Sequence, residues 1–526
     1  MRRLCYLLLF STSPLASQQT VPERSAYAQT SAHADVLGFV DSLQRLGAGI
    51  RVGRLGSSPQ GRALPYVIAS RPLVDGPAEA QRSGKPIIYL QGNIHAGEVE
   101  GKEAVLLLLR DLTLGALGPL LDSVVLVVVP IYNADGNDAF GPQERNRPGQ
   151  NGPAVVGLRG NGQGLDLNRD YVKQEAPETR AAAQLINAWD PDLFIDLHTT
   201  DGSYHGYVLT YDAGLNPNSS AANDYIRDKF LPEVRARMRS RHQQEVFSYG
   251  NFRNADPDSL VLGWETYDAR PRFGTNWAGL RGRMAILSEA YSHAEFRVRV
   301  AATYNFVLEI LRLAAAQRST LKSLALAATR QRPDSVTLRS VLAPPIAMDV
   351  IAEVTERAGE GSGPFARRRP TGVFKTIRMP VFDRFTAARR EAMPAAYLLP
   401  PQHAQLADLL RGQGVEVRRL TAAWQGPAEG FRVDSLVVEP LFEGHRTIRV
   451  EGAWHPRDAV LLPGWFLVST DQRLGVFAAY LLEPVSEDGL ATWNFLDRDL
   501  RRGQDAPVLR VRSALQVPAE EVGGRR

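Results

Sequence analysis

The stretch Pro86–Lys102, PIIYLQGNIHAGEVEGK, joins an apolar run typical of a buried strand to a turn that carries a histidine and a glutamate. His95 and Glu98 are three residues apart, so an imidazole and a carboxylate can reach one metal ion from a single rigid turn. Gly92 and Gly97 are expected to let the backbone bend tightly there. Hydrolytic zinc sites commonly use two histidines and one glutamate with one position open for water. The stretch therefore predicts two zinc ligands, and a third ligand, a histidine, is expected far downstream.

The same spacing occurs a second time, at His242 and Glu245 in RARMRSRHQQE. That pair follows no apolar strand and no glycine turn, and its basic neighbours would repel a cation. We interpret it as a solvated helix face. The context of the first pair, rather than its spacing alone, indicates a metal site.

The downstream partner lies in DLFIDLHTTDGSYHGY, where Leu193–Leu197 predict a short buried strand that ends at His198. In open α/β sheets, ligands collect at the carboxyl ends of the strands, where loops converge. A lone histidine is ordinarily structural, so this assignment depends on the upstream pair. His205, in a loop rich in Gly and Tyr, is the alternative ligand.

Two further segments carry charged residues that a zinc hydrolase could use. A glycine-punctuated loop, LRGNGQGLDLNRDY, holds arginines that could bind a carboxylate bidentately or stabilise an oxyanion. A surface loop held by its own Asx turns explains this loop equally well. In RGRMAILSEAYSH, the apolar strand Met284–Leu287 delivers Glu289, and a zinc-activated water needs a nearby base. An exposed or salt-bridged glutamate is the ordinary explanation of Glu289 in isolation.

Taken in order, these residues resemble the zinc metallocarboxypeptidase family typified by carboxypeptidase A. The resemblance covers about the first three-fifths of the chain. It includes GSSPQGR at Gly56–Arg62, which is similar to the family's Gly-x-Ser-x-x-Gly-Arg stretch, and YNADG at Tyr132–Gly136, which is similar to its Asn-Pro-Asp-Gly. The chain resembles a bacterial, exported member of the family with an extra C-terminal domain.

The resemblance implies one zinc ion per chain and a peptide substrate with a free C-terminal carboxylate. Glu289 would take a proton from the zinc-activated water and later give it to the leaving amine, while Arg159 would stabilise the oxyanion. Asp166 would accept the far N–H of one histidine ligand and fix its tautomer. The zinc ligands would be His95, Glu98 and His198, and the substrate-binding residues would be Asn168, Arg169 and Tyr267.

Two of these roles have competitors in the sequence. Arg145 or Arg147 could replace Arg159, although only Arg159 leads directly into the Asp-Leu-Asn-Arg motif. Tyr291 or Phe273 could replace the capping Tyr267. The segment Gly274-Thr275-Asn276-Trp277 resembles the specificity pocket of the family and carries no charge, which disfavours a dedicated preference for a basic terminal side chain.

The N-terminal residues 1–17, MRRLCYLLLFSTSPLAS, predict a signal peptide and therefore a periplasmic or extracellular protein. The only cysteine, Cys5, lies inside it, so the mature protein would contain no disulfide. An accidental apolar N-terminus is the alternative. No later segment has the length and apolar character of a membrane span.

The charge of the chain disfavours nucleic-acid binding. Its 61 Lys and Arg residues and 57 Asp and Glu residues are interleaved and leave a formal net charge of only +4. A nucleic-acid-binding protein would instead show a basic stripe with stacking aromatic residues.

Strand-like runs alternate with helical stretches at Glu178–Trp189 and Phe296–Ala315, which predicts an α/β fold with a mostly parallel, mixed sheet and helices on both faces. We expect a catalytic domain over residues 18–335 and a smaller, strand-rich α/β accessory domain over residues 336–526. A peptidoglycan stem-peptide amidase or an N-acyl amino acid deacylase on the same scaffold is the nearest alternative function. A non-catalytic binding protein would lack a ligand or the base, and this sequence has both.

Overall fold

The computed structural model describes residues 18–254, 257–357 and 368–522. The predicted signal peptide, residues 1–17, lies outside the described residues. Within the three described ranges, no helix is both long enough and apolar enough to span a bilayer.

An eight-stranded mixed sheet forms the first part of the structure. Its four central strands are mutually parallel and are buried along nearly their whole length, as expected for long runs of β-branched residues in a parallel sheet. Outer strands extend the sheet on both sides, mostly by antiparallel pairing. The strands follow one another in the sheet in the order Ile50–Ser57, Ala63–Ala69, Val125–Val129, Ile87–Gly92, Leu193–Thr199, Met284–Ala290, Leu209–Ala213 and Val246–Ser248.

Helices cover both faces of this sheet because successive strand residues point to opposite sides. Ile88 and Ile195 belong to one core cluster, which also contains apolar residues of the helices Glu100–Thr113 and Phe296–Ala316. Tyr89 and Phe194 stack at 5.3 Å in the other cluster, with residues of the helices Pro177–Trp189 and Gly274–Leu280. The predicted α/β fold is confirmed. The remaining helices of eight or more residues are His33–Arg45, Leu231–His242, Arg318–Thr329, Ala404–Gly412 and Gly475–Leu482.

The C-terminal part is rich in strands, as predicted. A seven-stranded sheet is built around one long hairpin, and strands that precede this sheet in the chain form two smaller sheets. The strand Ser335–Leu342 begins at the predicted domain boundary, which stays a prediction. The strands of the seven-stranded sheet, in order, are His445–Leu461, Trp424–Phe442, Asp505–Val511, Ala396–Leu399, Phe466–Ser469, Arg418–Leu420 and Ala519–Glu521. A four-stranded sheet has the order Asn251–Phe252, Trp264–Glu265, Arg368–Phe382 and Ile346–Arg357. A two-stranded sheet pairs Ser335–Leu342 with Phe385–Ala392.

The two parts share one apolar core. Gln413 is fully buried between them, and its side-chain oxygen accepts a hydrogen bond from the indole Nε1 of Trp277 at 2.9 Å. Its amide nitrogen donates to the backbone carbonyls of Tyr171 and Val172 at 2.7 and 2.9 Å. Every polar atom of this one side chain is therefore satisfied by the first part of the structure.

Asp212 carries a prediction about stability. It is buried on the strand Leu209–Ala213, where its carboxylate accepts a hydrogen bond from Thr266 Oγ1 at 3.0 Å. Burial, together with the carboxylate of Asp383, raises the pKa of Asp212 to about 8. This folded-state pKa lies above the unfolded value of about 3.9, so the stability that Asp212 contributes is complete below pH ~4 and is lost as the pH rises toward 8.

Asp212→Asn keeps the hydrogen-bond acceptor without the charge. We expect it to raise the free energy of unfolding by about 1–3 kcal/mol at pH 8 and to change it little at pH 4. Urea denaturation of both proteins at the two pH values measures this difference. An equal effect at both pH values would contradict the assignment.

Candidate metal centre and active site

The turn after the strand Ile87–Gly92 places His95 and Glu98 side by side. The amide of Glu98 donates to the carbonyl of His95 at 2.9 Å, which closes the turn, and the next helix begins at Glu100. The tight backbone position is Asn93, at φ 66°. Both ligand candidates therefore sit in a short turn between a buried strand and a buried helix.

The expected reason for Gly92 and Gly97 is wrong. Neither has a positive φ, so neither is needed for a special backbone conformation. A Cβ atom at Gly92 would lie 3.0 Å from the carbonyl carbon of Gly101, and one at Gly97 would lie 3.1 Å from the carbonyl oxygen of Gly157. The two glycines let neighbouring backbone segments approach closely, which a sequence pattern alone does not distinguish from a bend.

His198 joins the pair from the neighbouring strand Leu193–Thr199, which continues one residue past it. Its Nδ1 lies 3.0 Å from Glu98 Oε2 and 3.2 Å from His95 Nδ1, and His95 Nδ1 lies 3.0 Å from Glu98 Oε1. All three side chains are buried. The structure thus brings together the three residues that the sequence predicts as ligands.

These donors fit a zinc ion. Tetrahedral zinc with donors at roughly 2.0–2.2 Å separates its donor atoms by about 3.3–3.6 Å, close to the distances observed here. Each imidazole presents Nδ1 to the centre and turns Nε2 toward a carboxylate: His95 Nε2 lies 3.0 Å from Asp166 Oδ1, and His198 Nε2 lies 3.0 Å from Asp196 Oδ2. Such outer carboxylates orient metal-binding histidines.

The electrostatics of the centre favour a cation. Burial alone would raise the pKa of Glu98, but His95, Arg147 and His198 outweigh it and hold this pKa well below its ordinary value. Burial would lower the pKa of His198, yet the carboxylates of Asp196 and Glu98 raise it well above its ordinary value. The carboxylates that raise the pKa of His198 supply the negative potential that a divalent ion requires.

Glu289 lies beside the centre on the strand Met284–Ala290. It is the register partner of His198 on the adjacent parallel strand, and it lines the same cavity as the three ligand candidates. Burial raises the pKa of Glu289 to about 8; the carboxylates of Glu98 and Asp201 add to this rise, against His198 and Arg147. A carboxyl group with a raised pKa next to a cation site can both accept and donate a proton near neutral pH.

The three arginines considered for the oxyanion role have different surroundings. Arg159 lines the cavity, with Nε 2.9 Å from Asp166 Oδ2 and Nη1 3.4 Å from Glu98 Oε1. Arg147 also contacts Glu98, at 3.3 Å, but its Nη2 donates to the carbonyls of Thr199 and Thr200. Arg145 is exposed, and its Nε donates to the adjacent Asn146. Of the three, only Arg159 lines the cavity.

Asn168 and Arg169 also line the cavity. The Asn168 side chain contacts His198 Nε2 at 3.4 Å and accepts a hydrogen bond from the amide of Gly274 at 2.9 Å. The Arg169 guanidinium packs over the ring of Phe273 at 4.2 Å, and its Nη1 donates to the Asn168 carbonyl. Phe273 and the Asn168 carbonyl thus hold the guanidinium of Arg169, and its positive charge, in the same cavity as the metal-ligand candidates.

Tyr267 also lines the cavity, so the structure does bring it to the site. Its hydroxyl lies 2.8 Å from Thr275 Oγ1, and its ring packs edge-on against Phe273 and Tyr249. Tyr291, its competitor, instead packs against His205 at 4.2 Å. Phe273, the other competitor, lines the cavity but has no hydroxyl.

The cavity has a volume of about 240 Å³, and sequence reasoning missed several of its lining residues, among them Tyr249 and Asp201. Tyr249 follows the three-residue strand Val246–Ser248, which is too short to give a periodic signal. Asp201 stands three residues after His198, and an acid so close to a predicted ligand was the signal that could have identified it. The carboxylate of Asp201 adds to the burial that raises the pKa of Glu289, and burial together with the carboxylate of Glu289 raises the pKa of Tyr249.

His205 and His242, the other histidines considered from the sequence, have partners outside the proposed metal centre. His205, the alternative ligand, is buried against Tyr291, and its backbone bridges Ala352. His242 Nε2 lies 3.0 Å from Glu309 Oε1, while Glu245 accepts two hydrogen bonds from Arg239. The members of the second spaced pair therefore have separate partners.

The motifs Gly56–Arg62 and Tyr132–Gly136 contact each other through Asp135. Its carboxylate accepts hydrogen bonds from Ser58 Oγ at 2.6 Å, from the amide of Gln60 at 2.9 Å and from Arg62 Nη1 at 2.7 Å. The neighbouring Asn133 donates to the carbonyls of Ile94 and Arg159 at 3.3 and 3.0 Å. The two motifs together support the turn before His95 and the loop that carries Arg159.

Comparison with known proteins agrees with this site. The model of the zinc carboxypeptidase family matches residues 38–272. Carboxypeptidase 2 of Trichophyton rubrum is 25% identical over 514 residues, which cover 90% of this chain and 85% of that protein. Human carboxypeptidase D is 30% identical over 167 residues, 27% of this chain and 11% of that one.

Among solved structures, a metallo-carboxypeptidase from Burkholderia cenocepacia is similar, with 19% identity and a TM-score of 0.39 over 54% of this chain and 69% of that chain. The relatives that match most of the length are fungal, so a bacterial origin stays a prediction. The match over residues 38–272 and the relatives that align along most of the chain agree with the His-Glu-His cluster that the structure assembles, and together they support a metallocarboxypeptidase with zinc as its cofactor.

Proposed function

We propose that the protein removes the C-terminal residue from peptides by hydrolysis, with one zinc ion held by His95, Glu98 and His198. The observation that carries this proposal is a single cavity lined by the three donors, by Glu289 and by the arginines Arg159 and Arg169. When bound, zinc would polarise the scissile carbonyl and lower the pKa of a water molecule. We further propose export of the protein, on the strength of the N-terminal sequence.

Glu289 has the position of a general base. Its carboxylate faces the cavity next to His198, so it can accept a proton from the attacking water and later donate that proton to the leaving amine. Arg159, which is 38% exposed and lines the cavity, can donate to the oxyanion that forms on the carbonyl oxygen. Asp166 holds both His95 and Arg159, so it couples the orientation of the ligand to that of the oxyanion donor.

Arg169 has the position of the carboxylate-binding residue. Its guanidinium lies against Phe273 and lines the cavity, where a planar fork can pair with a terminal carboxylate. Asn168 lies next to it, and Tyr267 can cover the bound residue. A carboxylate requirement would make the enzyme an exopeptidase.

The test compares a blocked dipeptide, the same dipeptide with a C-terminal amide, a peptidoglycan stem peptide and an N-acyl amino acid. Release of the terminal amino acid, followed by mass spectrometry, should be fastest for the blocked dipeptide and at background for the amide. Faster release from the stem peptide or the acyl amino acid would favour the alternative hydrolase functions. Absence of turnover in zinc-loaded protein with all four compounds would reject the proposal.

Arg169→Met should separate carboxylate binding from chemistry. Loss of a charged hydrogen bond to the substrate is expected to lower kcat/KM for the blocked dipeptide on the order of 10²-fold, mainly through KM. Arg145→Met, which removes an exposed arginine nearby in sequence, is the matched control and should leave kinetics unchanged. An Arg169→Met enzyme with the wild-type KM would exclude this role.

A further inference from the structure

The long hairpin of the C-terminal part ends at the catalytic site. Its strands, Trp424–Phe442 and His445–Leu461, are joined by Glu443 and Gly444 alone. Glu443 Oε2 accepts a hydrogen bond from the backbone amide of Asp166 at 3.3 Å. The tip of the hairpin thus contacts the motif that carries the proposed site residues, from 277 positions further along the chain.

Asp166 is the residue through which several site groups are connected. Its Oδ1 contacts His95 Nε2 at 3.0 Å and accepts from the amide of Asn168 at 2.9 Å, while its Oδ2 accepts from Arg159. Arg169 Nη1 lies 3.9 Å from the same carboxylate. A contact that fixes the Asp166 backbone therefore acts on the whole turn that leads to Arg169.

The turn itself does not explain the presence of a glutamate. Glu443 and Gly444 have φ values of 49° and 79°, so both central residues are left-handed, as in a type I′ hairpin turn. Asn-Gly is the preferred sequence for that turn, and a residue with a long side chain is disfavoured at positive φ. Glutamate at this position accepts a conformational cost, which points to a role for its side chain.

Contacts on both sides of the turn fix the tip in place. His445 Nε2 lies 2.9 Å from Glu175 Oε1, and the His445 ring packs edge-on against Trp493. On the other side, the Arg272 guanidinium lies 5.0 Å from the ring of Phe442. Arg272 directly precedes the phenylalanine that supports Arg169. The hairpin tip therefore contacts two segments next to Arg169: the one that contains Glu175 and the one that contains Arg272.

We propose that Glu443 is a positioning residue for the substrate-carboxylate site: it holds the Asp166–Arg169 turn where Arg169 can grip the terminal carboxylate. The C-terminal part thereby contributes to substrate binding without touching the substrate. This inference rests on the proposed function, because it assumes that Arg169 binds a carboxylate.

Three variants of the full chain test the proposal. Glu443→Asn suits the turn better, but its side chain is too short to reach the Asp166 amide. We expect this variant to have an unchanged or higher Tm and unchanged zinc content. Its KM for the blocked dipeptide should rise about tenfold, with kcat within twofold of wild type. Glu443→Gln keeps an acceptor of the same length and should restore KM to within about threefold of wild type. Glu439→Gln removes a charge from the same strand, where the carboxylate accepts from Thr447 instead, and serves as the control.

Calorimetry with an N-acyl amino acid and its amide tests binding independently of turnover. Glu443→Asn should weaken binding of the acid about tenfold and leave binding of the amide unchanged, with recovery in Glu443→Gln. A wild-type KM and affinity in Glu443→Asn, or equal losses in the Asn and Gln variants, would overturn the proposal. If the wild type binds the acid in this pattern but hydrolyses nothing, the proposed function fails while the positioning role stands.

Discussion

Replacing Glu289 by glutamine is expected to lower kcat/KM for a blocked dipeptide by about 10²–10⁴-fold, because general acid–base catalysis contributes on this order. Glutamine has nearly the same shape but cannot accept the proton of the attacking water. The loss should appear in kcat rather than KM, since substrate binding at Arg169 is untouched. Steady-state kinetics of the zinc-loaded variant measure it.

Zinc content gives the control for this variant. Glu289 lies beside the ligands without being one of them, so Glu289→Gln should retain close to one zinc per chain in elemental analysis. Glu245→Gln, in which the lost carboxylate pairs with Arg239 far from the centre, should behave like wild type. Full activity in a zinc-loaded Glu289→Gln enzyme would rule out the base assignment.

Removing a ligand should have the second large effect. His198→Ala leaves His95 and Glu98 as the only protein donors, and two donors do not complete a hydrolytic zinc site. We expect bound zinc to fall below about one-tenth per chain after dialysis, and kcat/KM to fall by about 10⁴-fold or more. Elemental analysis and kinetics on the same preparation measure both quantities.

The chain offers a matched control for the ligand variant. His242→Ala removes the histidine of the second His-x-x-Glu pair, which contacts Glu309 rather than its spaced partner. It should retain both zinc and activity. Zinc retention in His198→Ala at the wild-type level would show that the His-Glu-His cluster is not the binding site.

The sequence predicted the fold and the residues near the centre because those signals are local. An apolar strand followed by His95 and Glu98, and a second strand followed by His198, require only that neighbouring parallel strands end at one edge of the sheet. Parallel pairing of Leu193–Thr199 with Ile87–Gly92 on one side and with Met284–Ala290 on the other produces that arrangement.

Features that depend on long-range packing were missed. The glycines beside His95 serve close approaches to Gly101 and Gly157, and neither approach follows from the local pattern. Tyr249 enters the cavity from a three-residue strand, and Glu443 arrives from a separate sheet. Contacts between separate segments of the chain carry no periodic signal, so these positions could be found only in the folded structure.

The burial of Gln413 has a consequence for biosynthesis. The indole of Trp277 and the backbone carbonyls of Tyr171 and Val172 are hydrogen-bonded to Gln413. Gln413 leaves the ribosome well over a hundred residues after the last of the proposed zinc donors. Chains generally fold as they emerge, and apolar surface that waits for a later partner is prone to aggregate. A nascent chain that already contains every proposed zinc donor therefore still exposes the surface around Trp277 until the segment with Gln413 has been translated.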